Sequence, residues 1–572
     1  MTEEKTSAEY DFIVVGAGPA GSALSSRLAH SLPNHTILLL EAGGPSQTAP
    51  SQTLYDRYTA FRTPGLNYAY TTVPQARLHG ASIDYSRGKG LGGTSLINFA
   101  IWNRGPRDDY DEWARIVQND VFGWDNVKRV YDGIENLHDP AYEDTKQRYI
   151  KLKSDSHGHN GLVDVEYAAR WENWMPDLLD GIEQAGAGLG WAWNRDLNDG
   201  DPIGVGFGPA TAKEGIRVTA RTAYLSHRPE NLKVVEGMSV ARVVWEGKKA
   251  VGVESVEGEK FFAAKEVILS AGALDSPKLL LLSGIGPRTE LDKFDIPVVH
   301  DLPGVGKNLQ DHCHYPVSAV LKDEVRPRNE LIPGSEALNK ARTRFESDGT
   351  GPLSYVNASY LLGFLKEVDL YESEEFKSLD PATQAHLKKA TVPSWELGTG
   401  LPKLGPPLPG PPRQYLNTIG VLMNPQSRGT VTLQSADPRE AALFDPKLMS
   451  HPYDQKVLIT AGKRILEFMR TPEIAKTLEG PANMPASDSD EDILAFIKLN
   501  LRSTWHMSGT CKMGTDEDER AVVNSDFKVR GVEGLRVVDL SVLPFLVNAH
   551  PVGAAYLVGE IAARLVGEQH ER

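Results

Sequence analysis

Two of the chain's 15 histidines stand in C-terminal stretches rich in small and aromatic residues. His506 lies in Trp505-His506-Met507-Ser508-Gly509-Thr510, and His550 in Asn548-Ala549-His550-Pro551. Imidazole titrates near neutrality, so either ring can exchange a proton with a substrate at ordinary pH. A different chemistry is written near the N-terminus, in Gly16-Ala17-Gly18-Pro19-Ala20-Gly21. Gly16 permits a tight turn, Gly18 lets backbone approach a pyrophosphate, and Gly21 lets a helix pack closely on a strand. Pro19 opens that helix, whose free N–H groups and positive dipole end favour phosphate. Glu41, with Ala42 beside it, follows Gly21 by 20 residues, the distance at which a carboxylate meets ribose hydroxyls. An acid there disfavours a 2′-phosphate. The turn alone does not separate FAD from NAD.

Positioning these groups requires a βαβ unit. Residues 11–15 (DFIVV) and 36–40 (TILLL) read as strands buried on both faces, and Ala20, Ala23, Leu24 and Leu28 form one face of the helix between them. Residues 267–270 (VILS) and 535–539 (LRVVD) read as two further buried strands, hundreds of residues away. If all four share a sheet, the nucleotide-binding domain is discontinuous and a second domain is threaded through it. Residues 415–423 and 429–434 read as paired strands around a turn, and 335–346 and 452–469 as helices. Between them, the proline density of 392–412 argues against a regular helix or a central strand and suggests an access lid or a surface insertion.

The composition excludes several classes. A net charge of −15 over 572 residues opposes binding to nucleic acid. Two cysteines, Cys313 and Cys511, cannot staple a chain of this length, and Cys511 among small residues reads as a buried apolar group. The polar start MTEEKTSAEY has no signal-peptide character and no apolar run is long enough to span a membrane, so the expectation is a cytoplasmic protein without a membrane partner. Asp311, His312 and His314 are close in sequence, but no further ligand group accompanies them and no metal is assigned.

Residues 88–98 (GKGLGGTSLIN), with Trp102, Gly105 and Asp111 after them, resemble the first signature of the glucose-methanol-choline (GMC) oxidoreductases, and 272–286 (GALDSPKLLLLSGIG) resemble the second. Residues 302–312 are similar to that family's passage from flavin domain to cap, and the stretch from Trp505 to Leu565 to its active-site block, nearest to aryl-alcohol oxidase-like members. The resemblance implies an α/β Rossmann-like FAD-binding domain (1–155, 206–310 and 501–572) and a substrate-binding cap on an antiparallel sheet (156–205 and 311–500). It also implies that Leu91, Gly92 and Thr94 together with Asn98, Phe99, Ala100 and Ile101 line the flavin and pyrophosphate. Val240 would meet adenine through its backbone, and Asp539 the ribityl or pyrophosphate region. Trp505 and Phe99 read either as an aromatic pocket over the flavin or as core, and Trp102 as core or flavin support. Members that tether FAD covalently carry histidine at or beside Ile97; isoleucine has no nucleophile, so non-covalent FAD is expected.

The same resemblance gives His506 the role of base and His550 that of hydrogen-bonding the substrate oxygen. Pro551 and Val552 would open a helix directed at the flavin. The implied reaction is oxidation of a small-molecule alcohol to a carbonyl, with hydride passing to flavin N5 and O2 or another acceptor reoxidising it. The alternative is a flavin-containing cyclase or lyase without net oxidation, using the same two histidines as acid and base.

Overall fold

The computed structural model describes residues 8–44, 53–138, 148–153, 155–167, 175–325, 335–354, 361–401 and 413–571. The expected buried strands do meet in one sheet. Its order is Leu232–Glu236, Ile37–Glu41, Ala8–Val15, Lys260–Leu269, Lys249–Ser255 and Val240–Glu246, and Leu535–Val537 adds to Lys260–Leu269. The pairings of Ala8–Val15 with Ile37–Glu41 and with Lys260–Leu269 are parallel, as is that of Leu535–Val537. Phe12, Ile13, Val14 and Ile37 to Leu39 are fully buried, which is why these runs carry no polar alternation.

The helix Pro19–Ser31 follows the glycine turn and packs against Val552–His570. A Cβ on Gly559 would stand 2.4 Å from the Ala20 carbonyl oxygen, so the first and last helices meet backbone to backbone. That contact seats the C-terminal helix, and with it the loop bearing His550, on the nucleotide-binding half.

A second sheet is antiparallel throughout, in the order Leu361–Leu365, Trp395–Leu401, Tyr415–Leu422, Cys313–Leu321 and Leu478–Asn483. The fold is therefore α/β, with a discontinuous Rossmann-like domain and a cap built on an antiparallel sheet. The helices expected from the sequence stand at Glu336–Asp348 and Pro452–Arg470.

Two sequence expectations are corrected. Trp395–Leu401 is a central strand of the cap sheet, although it lies in the proline-rich stretch. Pro393 and Pro402 flank it and none interrupts it, so every amide in the strand can donate to a neighbour. The lid or insertion expected from that stretch falls, for residues 402–412, outside the described residues. Tyr415–Leu422 and Gly429–Thr432 do not pair with each other. The first lies between Trp395–Leu401 and Cys313–Leu321, the second between Lys307–Leu309 and Leu443–Asp445.

Candidate active site

A cavity of about 1260 Å³ runs from the glycine turn to the two histidines. It exceeds the roughly 300–1,000 Å³ of ordinary small-molecule pockets, which suits a dinucleotide and a substrate together. Gly16, Gly18, Pro19, Glu41, Ala42, Val240 and Asp539 line it, as do Thr94, Asn98, Phe99, Ala100, Ile101, Trp505, His506, His550, Pro551 and Val552.

The glycines divide by what they face. A Cβ on Gly18 would meet nothing within 4 Å, so this residue leaves its space to the cavity. A Cβ on Gly21 would stand 2.0 Å from the Gly16 carbonyl oxygen, and Gly16 itself has φ of +104°. Those two are needed by the protein's own backbone, whereas no protein atom requires a glycine at position 18. Gly93 also approaches closely, a Cβ there standing 2.7 Å from Gly18 Cα, so the second glycine-rich segment rests on the first. Open backbone at a helix N-terminus, in a dinucleotide-sized cavity, fits the pyrophosphate of FAD.

Three expected residues do not line this cavity. Gly21 lies behind the turn, Leu91 is core, and the Gly92 amide donates to the Ala17 carbonyl at 2.8 Å. Glu41 accepts backbone hydrogen bonds from Ala17 (3.0 Å), Gly43 (2.7 Å) and Gly90 (3.1 Å). It therefore clasps the two glycine-rich segments together as well as facing the cavity, and burial raises its carboxyl above the usual range despite those three donors. Asp539 accepts from the Gly272 amide at 2.9 Å, the Ser276 hydroxyl at 2.5 Å and the Ser541 amide at 2.7 Å. Trp102 is fully buried core, and Cys511 is buried.

His506 is held by a strand-like pairing. Ser508 and Gln310 exchange backbone hydrogen bonds, the Thr504 amide donates to the His312 carbonyl at 2.8 Å, and the His506 amide donates to Asp311 Oδ1 at 2.8 Å. The residue before it, Trp505, has a left-handed φ of +59°. For a bulky side chain this costs on the order of 1–3 kcal/mol. Three hydrogen bonds of 2.7 Å offset it: Trp505 N to Ser503 Oγ, Arg87 Nη2 to the Trp505 carbonyl, and Trp505 Nε1 to Asp84 Oδ1. The indole ring lies 5.8 Å from Phe99 and 5.6 Å from Phe61, forming the expected aromatic wall of the cavity.

His550 is held by partners from both sides of the cavity. Asn548 donates from its amide to the buried carboxylate of Asp109 at 2.7 Å and from Nδ2 to Asn424 Oδ1 at 2.8 Å, and Asn424 Nδ2 donates to the Pro393 carbonyl at 2.8 Å. That chain leads to the strand Trp395–Leu401, whose buried Glu396 places Oε1 2.8 Å from His550 Nε2. The His506 and His550 rings stand edge to face, 5.0 Å between centroids.

The residues weighed for a metal have other partners. Asp311 accepts from Ser503 Oγ (2.6 Å) and the His506 amide, His312 Nδ1 is 2.9 Å from His506 Nδ1, and His314 Nδ1 is 3.2 Å from Thr504 Oγ1. Burial pushes Asp311 up to about 6, His312 down to about 3 and His314 down to about 4. His506 lies well below the usual imidazole range, chiefly through burial and then through the neighbouring His550, His312, Arg87 and His314.

Sequence reasoning missed Glu396 and the support given by His312. The signal for Glu396 was a lone acid in the alternating run Trp395-Glu396-Leu397-Gly398-Thr399-Gly400-Leu401, obscured by the prolines around it.

Compared with known proteins, the chain matches the GMC oxidoreductase family over residues 10–314 in its N-terminal part and 425–559 in its C-terminal part. It is 33% identical over 568 residues to a glucose-methanol-choline family oxidoreductase of Annulohypoxylon moriforme, covering 94% of this chain and 90% of that one. It is 32% identical over 579 residues to an oxygen-dependent choline dehydrogenase of Escherichia coli, covering 98% and 95%. Among solved structures, an FAD-dependent oxidoreductase of Chaetomium thermophilum superposes with a TM-score of 0.85 at 26% identity, covering 98% of this chain and 100% of that one.

Proposed function

The chain belongs to the GMC oxidoreductase family and is an FAD-binding oxidoreductase, and from that premise we propose that it oxidises an alcohol to a carbonyl compound at the His506–His550 end of the cavity. The observation that carries this reading is the pair of imidazoles 5.0 Å apart, at one end of a cavity whose other end is the open glycine turn. FAD, held without a covalent link, supplies the hydride acceptor there, and O2 or another acceptor reoxidises it. Gly16, Gly18, Pro19 and the helix behind them would hold its pyrophosphate, Glu41 and Ala42 its ribose, Val240 its adenine and Asp539 its ribityl chain.

The two imidazoles share the substrate oxygen. One accepts the hydroxyl proton and the other donates to the oxygen, so charge built on oxygen as hydride leaves carbon is neutralised in place. Fixing the alcohol between two rings that are themselves fixed contributes several kcal/mol through orientation. Phe61, Phe99 and Trp505 give the cavity an aromatic lining. The cap, taken as residues 156–205 and 311–500, supplies the opposite wall and hence the choice of substrate.

Purified yellow protein mixed anaerobically with aryl, aliphatic, polyol and choline-type alcohols tests the reading. The expected result is bleaching of the flavin's visible absorption by at least one class, with one carbonyl formed per flavin reduced. Product formation without bleaching would instead identify a cyclase or lyase.

A further inference from the structure

The cap sheet turns one face to the cavity, and its register shows what that face carries. Phe364, Glu396, Val421 and His314 are successive cross-strand partners, so their side chains stand in one row on one side of the sheet. The next row on the same side holds Leu362, Gly398, Ile419 and Pro316. Glu396, His314, Leu362 and Ile419 all line the cavity, as this parity requires. The face is therefore apolar with two polar stations. Glu396 and His314 are two strands apart, roughly 10 Å at the usual strand spacing, with Val421 between them.

The first station is engaged by the imidazole pair, since Glu396 Oε1 lies 2.8 Å from His550 Nε2. The second is built differently. His314 pairs across the strands with Arg502, which brings Thr504 alongside, and His314 Nδ1 lies 3.2 Å from Thr504 Oγ1. Both residues line the cavity, and the His314 ring stands 6.5 Å from the indole of Trp505.

Burial pushes His314 down to about 4, so the ring is neutral at ordinary pH. A neutral imidazole has one nitrogen that donates and one that accepts, and a threonine hydroxyl can turn to fill either role. With Thr504 matched to Nδ1, Nε2 can offer a substrate either a hydrogen or a lone pair. A hydroxyl answers both, because it donates and accepts. Charged groups answer less well. A carboxylate would share the face with Glu396, and an ammonium would find one lone pair on a ring that is no counter-ion. A wholly apolar substrate would cover the imidazole and the threonine hydroxyl and strip their hydration without return. The wall of Phe61, Phe99 and Trp505 beside this station suits a flat aromatic body.

We infer that His314 and Thr504 bind a second hydroxyl of the substrate, so that the alcohol oxidised here is a hydroxyaryl alcohol whose far oxygen is held at the cap sheet. This deepens the proposed oxidation and rests on it. His314 takes no part in proton or hydride transfer. It selects, by disfavouring an analogue that leaves its nitrogen unanswered.

The test separates binding from turnover. Yellow holoenzyme is titrated with 3- and 4-hydroxyacetophenone and with the matching methylacetophenones, ketones that carry no alcohol to oxidise, and binding is read from the flavin difference spectrum. In wild type at least one hydroxy ketone is expected to bind at least about tenfold more tightly than its methyl partner. That gap should close in His314→Leu, shrink in Thr504→Val, and survive in part in His314→Gln, whose amide both donates and accepts. Equal affinities in wild type, or an unchanged gap in His314→Leu at wild-type FAD content, overturn the inference. The second arm compares kcat/KM for hydroxybenzyl and methylbenzyl alcohols. The hydroxy substrate is expected to lead by about 10- to 100-fold in wild type, with the ratio falling towards one in His314→Leu. A choline-type or wholly apolar alcohol as the best substrate overturns it. If no alcohol bleaches the flavin, the proposed oxidation fails, and the ketone titration alone decides whether His314 and Thr504 hold a hydroxyl.

Discussion

The two ends of the cavity are made from different parts of the polypeptide. At the glycine end the recognition elements are backbone: Gly18 leaves open space, Pro19 starts a helix, and Glu41 clasps Ala17, Gly43 and Gly90 by their amides. At the histidine end they are side chains from distant segments, with Glu396 of the cap meeting His550 and Asp311 meeting the amide of His506. Backbone recognition needs local geometry, and so it is written in a few consecutive residues. Side-chain chemistry needs groups brought together from far apart, and no short stretch records it.

Substitutions at the histidine end should give the largest effect and leave the cofactor in place. His506→Gln and His550→Gln are each expected to slow flavin reduction by on the order of 10²–10⁴-fold at unchanged FAD content, by stopped-flow absorbance. Loss of flavin from these variants would break the distinction between the ends. At the glycine end, two neighbours should separate. Gly21→Ala drives a Cβ to 2.0 Å from the Gly16 carbonyl and should lower the melting temperature of protein with and without FAD. The Cβ of Gly18→Val meets no protein atom within 4 Å, so apoprotein melting should stay near wild type while FAD affinity falls at least about tenfold, by fluorescence titration. Equal losses in both would mean that Gly18 serves the fold.

The smallest effect expected lies away from the cavity. His157 sits between Glu135 and Asp196 and is raised to about 9 from an ordinary 6.5, its carboxylate partners outweighing burial. Because the folded value is the higher one, its stabilisation is full below about 6.5 and is lost as pH rises through about 9. Melting temperature should fall over that window, and His157→Gln should flatten the fall without altering flavin reduction at pH 7.

Much of the nucleotide-binding half was legible in the sequence. Residues 11–15 and 36–40 are apolar without alternation because both faces of the sheet are covered, and the glycine turn and Glu41 sit at βαβ spacing. His506 and His550 were legible through their flanking motifs, and both reach the cavity. The cap was less so. The proline-rich stretch hid a central strand because its prolines fall at the edges of Trp395–Leu401, and strand pairing is decided by neighbours that local composition does not name. Glu396 was lost with that strand. Leu91 and Gly92 were placed on the cavity by resemblance, yet the Gly92 amide is turned to Ala17. Their segment supports the turn from behind.

The most direct measurement of the central claim is single-turnover flavin reduction by a reacting alcohol in the His506→Gln/His550→Gln double variant, with FAD content equal to wild type. The account expects a yellow protein in which the alcohol no longer bleaches the flavin on the wild-type timescale. Reduction at the wild-type rate would show that the two imidazoles take no part in the chemistry.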